Sequence, residues 1–218
     1  MFPGFFHDKR KDMHNIIIAT HNPDKARELQ SLLPDDNIQV QTLADYPAIG
    51  DIPETGTTLL ENSLLKARTV HQMTGVPAIA DDTGLEVDIL DGAPGIYAAR
   101  YAGKQATYRD NVEKLLHELR HSKESERTAR FRTIMSFVDD DHEIWAEGIV
   151  EGMIMPEPRG KSGFGYDPVF LVPDLGQTFA EMPAKVKHGI SHRGKAMKAL
   201  LAKIKPLFNR KTKESPIE

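Results

Sequence analysis

Apolar residues along this chain recur at two spacings, one of strands and one of helices, separated by short polar clusters. Ile16-Ile17-Ile18-Ala19 is a continuous apolar run with the composition of a buried strand. After Thr20-His21-Asn22-Pro23, the positions Ala26, Leu29, Leu32 and Leu33 share one helical face. Asn22 suits the N-cap of that helix, Pro23 its first position and Pro34 its stop. A short strand is predicted within Ile38–Leu43. Thr58-x-x-Glu61 reads as a capping box opening a second helix, with Leu60, Leu64 and Ala67 as its apolar stripe and Gly75 as its end. Val76–Ala80 and Leu85–Leu90 are predicted strands on either side of an acidic turn, the second alternating Leu85, Val87 and Ile89.

Thr107–His121 is amphipathic through Val112, Leu115, Leu116 and Leu119. Thr128–Val138 and Glu143–Ile154 are predicted long strands joined by the turn Asp139-Asp140-Asp141, and Val169–Val172 is a short apolar one. A last helix over about Arg193–Lys205 points Met197, Leu200, Leu201 and Ile204 inward, with Pro206 as its end. Early alternation of strands and helices followed by a hairpin predicts an α/β fold, a mixed sheet with helices on its faces. Neither an internal repeat nor a low-complexity linker interrupts it. Residues 13–208 therefore read as one domain, 1–12 as an extension ahead of the first strand, and 209–218 as a polar tail.

Composition narrows the function classes. The 218 residues are 39% hydrophobic and 28% charged, an ordinary balance for a globular protein with a real core. A formal charge of −4 gives no basic field for a nucleic acid polymer, although a small polyanion could use a local cluster of Lys and Arg. No apolar run approaches the roughly 20 residues that span a bilayer. The segment MFPGFFHDKRKD has its apolar and charged parts in the reverse order of a signal peptide. Zero cysteines exclude disulfides, thiolate catalysis and Cys-ligated metals, which is compatible with a reducing, cytoplasmic compartment.

Candidate chemistry centres on Ala80-Asp81-Asp82-Thr83-Gly84, which places two carboxylates and a hydroxyl at a strand end. Oxygen ligands of this kind suit Mg²⁺, though aspartates at strand ends also cap turns. Successive strand side chains point to opposite faces, so Asp81 and Asp82 share one ion only if the chain leaves regular strand geometry there. Thr20-His21-Asn22-Pro23-Asp24-Lys25 offers free N–H groups and a lysine at a helix start, either a phosphate site or simply a capped helix. Asn62 and Lys66, spaced i, i+4, lie off the Leu60/Leu64 stripe, where a surface lysine is the default.

Other segments are weaker signals. Gly160-Lys161-Ser162-Gly163 fails as a P-loop because position 155 is Met and Tyr166-Asp167-Pro168 blocks a following helix. Gly163-Phe164-Gly165-Tyr166-Asp167-Pro168 permits close backbone approach and base stacking, or is a glycine turn with core aromatics. His188-x-x-x-His192 has zinc-like spacing, but Gly189 stands where the metalloprotease pattern needs Glu and weakens a helix. Ser191-His192-Arg193-Gly194, with Lys185 and Lys187 upstream, gathers donors in one exposed loop at a helix start. Asp82-Thr83-Gly84 also matches the short aspartic peptidase signature, which needs a second copy and a mostly β fold.

Together these segments resemble the inosine triphosphate pyrophosphatase family, the non-canonical purine NTP pyrophosphatases. The match runs from Asn15 to about Phe208 through IIIATHNPDKARELQSLL, ETGTTLLENSLLKA, PAIADDTGLEVDILDGAPGIYAARYAG, GFGYDPVF and ISHRGKAMKALL. The resemblance implies a long central mixed sheet, two lobes around a substrate cleft, and a homodimer. It also implies Mg²⁺-dependent hydrolysis of ITP, dITP and XTP to the monophosphate and pyrophosphate. Asp82 would be the catalytic carboxylate, with Asp81, Asp82 and Glu54 at the metal. Thr20, Asn22, Lys25 and Lys66 would hold the triphosphate, with His21, Pro23, Asp24 and Thr83 among the substrate-binding residues. Phe164, Gly165, Tyr166 and Asp167 would line the nucleoside pocket, and Lys187, His192 and Arg193 would face the base. One departure is that many bacterial members carry two glutamates before Thr-Gly, whereas Pro53 precedes Glu54 here. A non-catalytic nucleotide-binding module and an aspartic peptidase are the alternatives.

Overall fold

The computed structural model describes residues 14–33 and 38–211, so Pro34, the N-terminal extension and residues 212–218 lie outside the described part. Within it, eight strands form one mixed sheet flanked by five α-helices. β1 (His14–Ile18), β2 (Ile38–Thr42) and β3 (Ala78–Val87) are mutually parallel neighbours in the order β2-β1-β3. β5 (Thr128–Val138) then runs antiparallel to β3, and β6 (Glu143–Ile154), β7 (Phe170–Val172) and β8 (Gln177–Thr178) extend the sheet antiparallel. The two-residue β4 (Pro94–Gly95) pairs with the far end of β3.

The core divides along the length of the long strands. At one end Ile16, Ile18, Ile79, Met135 and Phe137 pack under α1 (Pro23–Leu32) and α5 (His192–Lys211). Ile17, Ala78, Ala80 and Val138 pack on the opposite face under α2 (Leu59–Thr74). At the other end Leu85, Val87, Phe131, Phe170 and Phe179 pack with α3 (Tyr108–Glu118). α4 (Ala184–Ile190) leads into α5.

The sequence-based expectations were altered at several places, each for a physical reason. The acidic turn is absent. β3 is one unbroken strand in which Asp81, Asp82, Thr83 and Gly84 pair in turn with Met135, Ile134, Thr133 and Arg132. A long neighbouring strand outweighed the local glycine signal, and the strand stops at Val87, leaving Ile89 in an exposed 3₁₀ turn. Of the predicted Leu60, Leu64 and Ala67 stripe only Ala67 is fully buried, and the buried face of α2 is Leu59, Asn62, Ser63, Lys66, Ala67 and Val70. Part of what lies beneath it is polar, since the Ser63 hydroxyl donates to the Ala80 carbonyl and contacts that of Ser136, while Ala67 and Val70 pack on the apolar residues there. Gly189 sits inside α4, and Lys187, His192 and Arg193 are buried rather than in an exposed loop. Pro206 does not end α5, because Leu207 and Phe208 beyond it pack on the sheet and hold the helix past one lost hydrogen bond. The helix thus runs on to Lys211, beyond the predicted start of the tail.

Candidate active site

The N-terminus of α1 is built by Asn22. Its Oδ1 accepts from the amides of Asp24 and Lys25 at 3.0 and 3.2 Å, and Pro23 opens the helix without a donor to satisfy. Thr20 steadies the turn by accepting from the Asn22 amide, and His21 reaches outward to the Gly50 carbonyl. The helix thereby aims Lys25 inward, where its Nζ lies 3.2 Å from Asp81.

Unbroken pairing along β3 sends its two aspartates to opposite faces. Asp81 is fully buried and meets Lys25, the Arg193 Nε at 3.1 Å and the Thr83 hydroxyl. Burial works against its charge, but Lys25, Arg193 and Lys66 overcome this and hold the carboxyl well below the usual range. Asp82 faces α2, accepting from Lys66 Nζ at 3.1 Å and Asn62 Nδ2 at 3.4 Å. For Asp82 burial dominates over Lys66 and Lys25, and its carboxyl is pushed up. Neighbouring carboxylates driven in opposite directions are the arrangement in which one can accept protons while the other stays ionised.

Lys66 also donates to Glu54 Oε1 at 2.7 Å, and Arg100 donates to Glu54 Oε2 at 3.0 Å. Burial opposes the Glu54 charge, yet Lys66, Lys25 and Arg100 together lower its pKa. A second buried network flanks the first. Arg193 donates to Glu28 at 2.7 Å and to Thr83 at 3.2 Å, while Lys187 donates to Asp167 at 2.7 Å. Asp167 in turn accepts from the Phe164 amide at 2.8 Å, which fixes the Gly163–Pro168 loop, and burial raises its pKa. Gly163 is required there, because its φ is +75° and a Cβ would fall 2.0 Å from Asp167 Oδ2.

One cavity joins these parts. Lys25, Glu54, Asp82 and Thr83 form its charged end. Phe164, Tyr166, Phe131 and His192 form an aromatic end, together with Gly165, Asp167 and Arg193. His192 stacks on Phe131 at 4.4 Å between ring centroids. Its Nδ1 is buried with no hydrogen-bond partner. Burial, with Arg193 and Lys187 nearby, lowers its pKa well below the ordinary imidazole value and keeps the ring neutral. Lys187 and Arg193 lie over the Phe164 ring at 5.2 and 5.4 Å. Asn22 is also on the cavity wall, whereas Lys66, Asp81 and Lys187 stand behind it and Thr20, His21, Pro23 and Asp24 surround the α1 turn.

The sequence and the fold have counterparts among known proteins. Residues 16–203 match the Ham1 family. The chain belongs to that family. A dITP/XTP pyrophosphatase of Vibrio parahaemolyticus is 46% identical over 195 residues, covering 88% of this chain and 97% of its own length. Another, from Listeria innocua, is 46% identical over 203 residues, 93% of this chain and all of its own. A HAM1 protein from Coxiella burnetii superimposes with a TM-score of 0.80 at 40% identity, over 89% of this chain and 100% of its own. Ham1 membership and a mixed α/β fold with five helices leave no room for the mostly β architecture of an aspartic peptidase.

Several residues of the site were missed in the sequence. Glu28 is one turn beyond Lys25 on α1, and that i, i+3 spacing was an available signal. Phe131 looks like any core residue of an alternating strand, and nothing local marks Arg100 or Tyr108. The pairing of Asp81 with Asp82 at one ion was expected only if β3 broke, and it does not.

Proposed function

We propose that this protein hydrolyses ITP, dITP and XTP to the nucleoside monophosphate and pyrophosphate, removing deaminated purines from the nucleotide pool. The observation that carries this reading is the single cavity joining an aromatic, cation-backed slot to the Asp82–Lys25–Glu54 end. The names of the relatives, dITP/XTP pyrophosphatase, support it. In this reading the base enters between Phe164 and the His192 side, and the phosphates lie against the N-terminus of α1, where Lys25 and the helix dipole favour anions, the first-turn amides being already capped by Asn22. Lys25 and Lys66 neutralise phosphate charge. Asp82, with its raised pKa, takes the proton of the water that attacks between the α- and β-phosphates, and pyrophosphate leaves.

The residues present fit Mg²⁺ as cofactor. Glu54 and Asp82 already hold a cation between them, the Lys66 ammonium, at 2.7 and 3.1 Å. Among the described residues no cluster of three acidic, His or Cys side chains could cage an ion alone. That suits Mg²⁺, which commonly takes one or two carboxylates and completes its shell with water and substrate phosphates. Glu54 and Asp82 would hold it, and it would supply charge neutralisation at the phosphates. Asp81, on the other face, instead positions Lys25 and Arg193.

Selectivity belongs to His192 and Arg193. Three of the Arg193 nitrogens are engaged by Asp81, Glu28 and Thr83, so the guanidinium is held rigidly at the cavity wall. The orphaned, neutral His192 ring leaves a polar atom for the base. A site with such unpaired buried groups discriminates strongly between an oxygen and an amine at the purine six position. Pyrophosphate release from a panel of canonical and deaminated triphosphates, with and without Mg²⁺, tests the whole reading. Binding without turnover would leave the non-catalytic module instead. A homodimer rests on the resemblance alone, and light scattering tests it; a cytoplasmic location rests on the absence of cysteines. Among the described residues no helix is long and apolar enough to cross a membrane.

A further inference from the structure

Tyr108 is an exposed aromatic residue at the first position of α3, and the mechanism above does not use it. Its helix packs with the Phe131 end of the core, yet its hydroxyl reaches across the cleft to α1. There it accepts from Asn22 Nδ2 at 2.9 Å and donates to Asp24 Oδ2 at 3.1 Å. Asn22 is the same side chain that caps the Asp24 and Lys25 amides. The Tyr108 ring is tilted against Phe164 at 5.7 Å, and it shares the cavity wall with Lys25 and Asp82. Tyr108 thus borders the stretch of the cavity between the Phe164 slot and the Lys25 end.

From this juxtaposition we infer that Tyr108 is a substrate-binding residue whose hydroxyl donates to the phosphate chain of the bound nucleotide. The inference rests on the nucleotide reading above. The hydroxyl already stands at the helix N-terminus, where an anion is favoured. Burial raises the phenol pKa, so the group remains a donor rather than a competing anion beside a triphosphate. In the free protein, Asn22 and Asp24 hold it in place. On binding, a phosphate oxygen replaces Asp24 as its acceptor. Asp24 keeps its ion pair with Arg27 and is not left without a partner.

The test is Tyr108→Phe, which removes one oxygen and leaves the ring on Phe164. KM for ITP should rise roughly tenfold, the loss of one hydrogen bond to a charged group, while kcat falls by less than about twofold. Inorganic tripolyphosphate should weaken as an inhibitor by the same factor, and inosine should not. An unchanged KM and unchanged inhibition would show Tyr108 to be only a latch on the empty cleft and overturn the inference. Loss confined to inosine would place the hydroxyl at the sugar, and equal loss of both probes would reduce its role to closing the cleft; either result also overturns it. If wild-type protein fails to cleave ITP, the functional reading itself falls, independently of the variant.

Discussion

Gly148 lies in β6 opposite Thr133, directly beneath the start of α5. A Cβ at this position would stand 2.0 Å from the His192 carbonyl oxygen and 2.5 Å from the Ala196 amide nitrogen. Both are backbone atoms, so no side chain can swing aside. Real Cβ atoms essentially never come closer than 3.0 Å, so in Gly148→Ala the helix must retreat by roughly 1 Å. Overpacking of this kind costs about 1–3 kcal/mol. In a protein of this size that lowers Tm by roughly 2–4 °C for each kcal/mol. The displaced segment carries His192 and Arg193, and a 1 Å misplacement of positioning groups can cost about 100-fold in rate. Thermal melting together with kcat/KM for ITP and ATP reads both effects, and the ITP preference should narrow. Wild-type melting and selectivity would refute the close-packing argument. A lowered Tm with unchanged selectivity would show that this contact does not position the base-recognising residues.

Asp82→Asn should preserve the fold and reduce kcat by at least ~100-fold, since the change keeps the shape and removes the proton acceptor; near-normal turnover would assign the base elsewhere. Arg193→Lys should lower ITP and XTP hydrolysis more than ATP hydrolysis, because a point charge cannot reproduce a fork shared by Glu28, Asp81 and Thr83; equal loss on all substrates would place Arg193 at the phosphates. Replacement by Ala is a poorer test, since it removes one cationic partner from each of the buried Glu28 and Asp81 and so mixes a loss of stability with the loss of contacts. The lowered pKa of His192 means that the unfolded chain binds the proton first as pH falls. Stability from this group is therefore complete above about pH 6.5 and is lost progressively below it. Urea unfolding of His192→Gln between pH 7 and 5 should show a shallower acid loss than wild type, and identical slopes would remove His192 from the pH dependence.

The sequence revealed the elements more readily than their faces. The two long strands, the capped starts of α1 and α2, and the helix-start position of Lys25 were legible, because capping and periodicity act locally, whereas Arg193, expected in an exposed loop, is buried. The faces of β3 and α2 were not legible. Thr83-Gly84 reads as a turn until β5 is known to pair with every residue beside it. Lys66 reads as a surface lysine until Asp82 and Glu54 are known to lie below it. Both errors come from judging a side chain by its own helix or strand when its partner belongs to another.

The buried charges of the site also bear on how a ligand arrives. Glu28, Asp81, Asp82, Glu54 and Asp167 are matched by Arg193, Lys25, Lys66, Arg100 and Lys187 in direct ion pairs. The cavity is therefore close to neutral, inside a chain whose formal charge is −4. An approaching polyanion meets no long-range attraction, only a mild repulsion that salt screens beyond about 10 Å. Capture depends on contacts made after entry, when phosphates take over partners that the carboxylates now hold. Encounter is accordingly unselective and unsteered, and discrimination among nucleotides is left to the exchange of ion pairs inside the cleft.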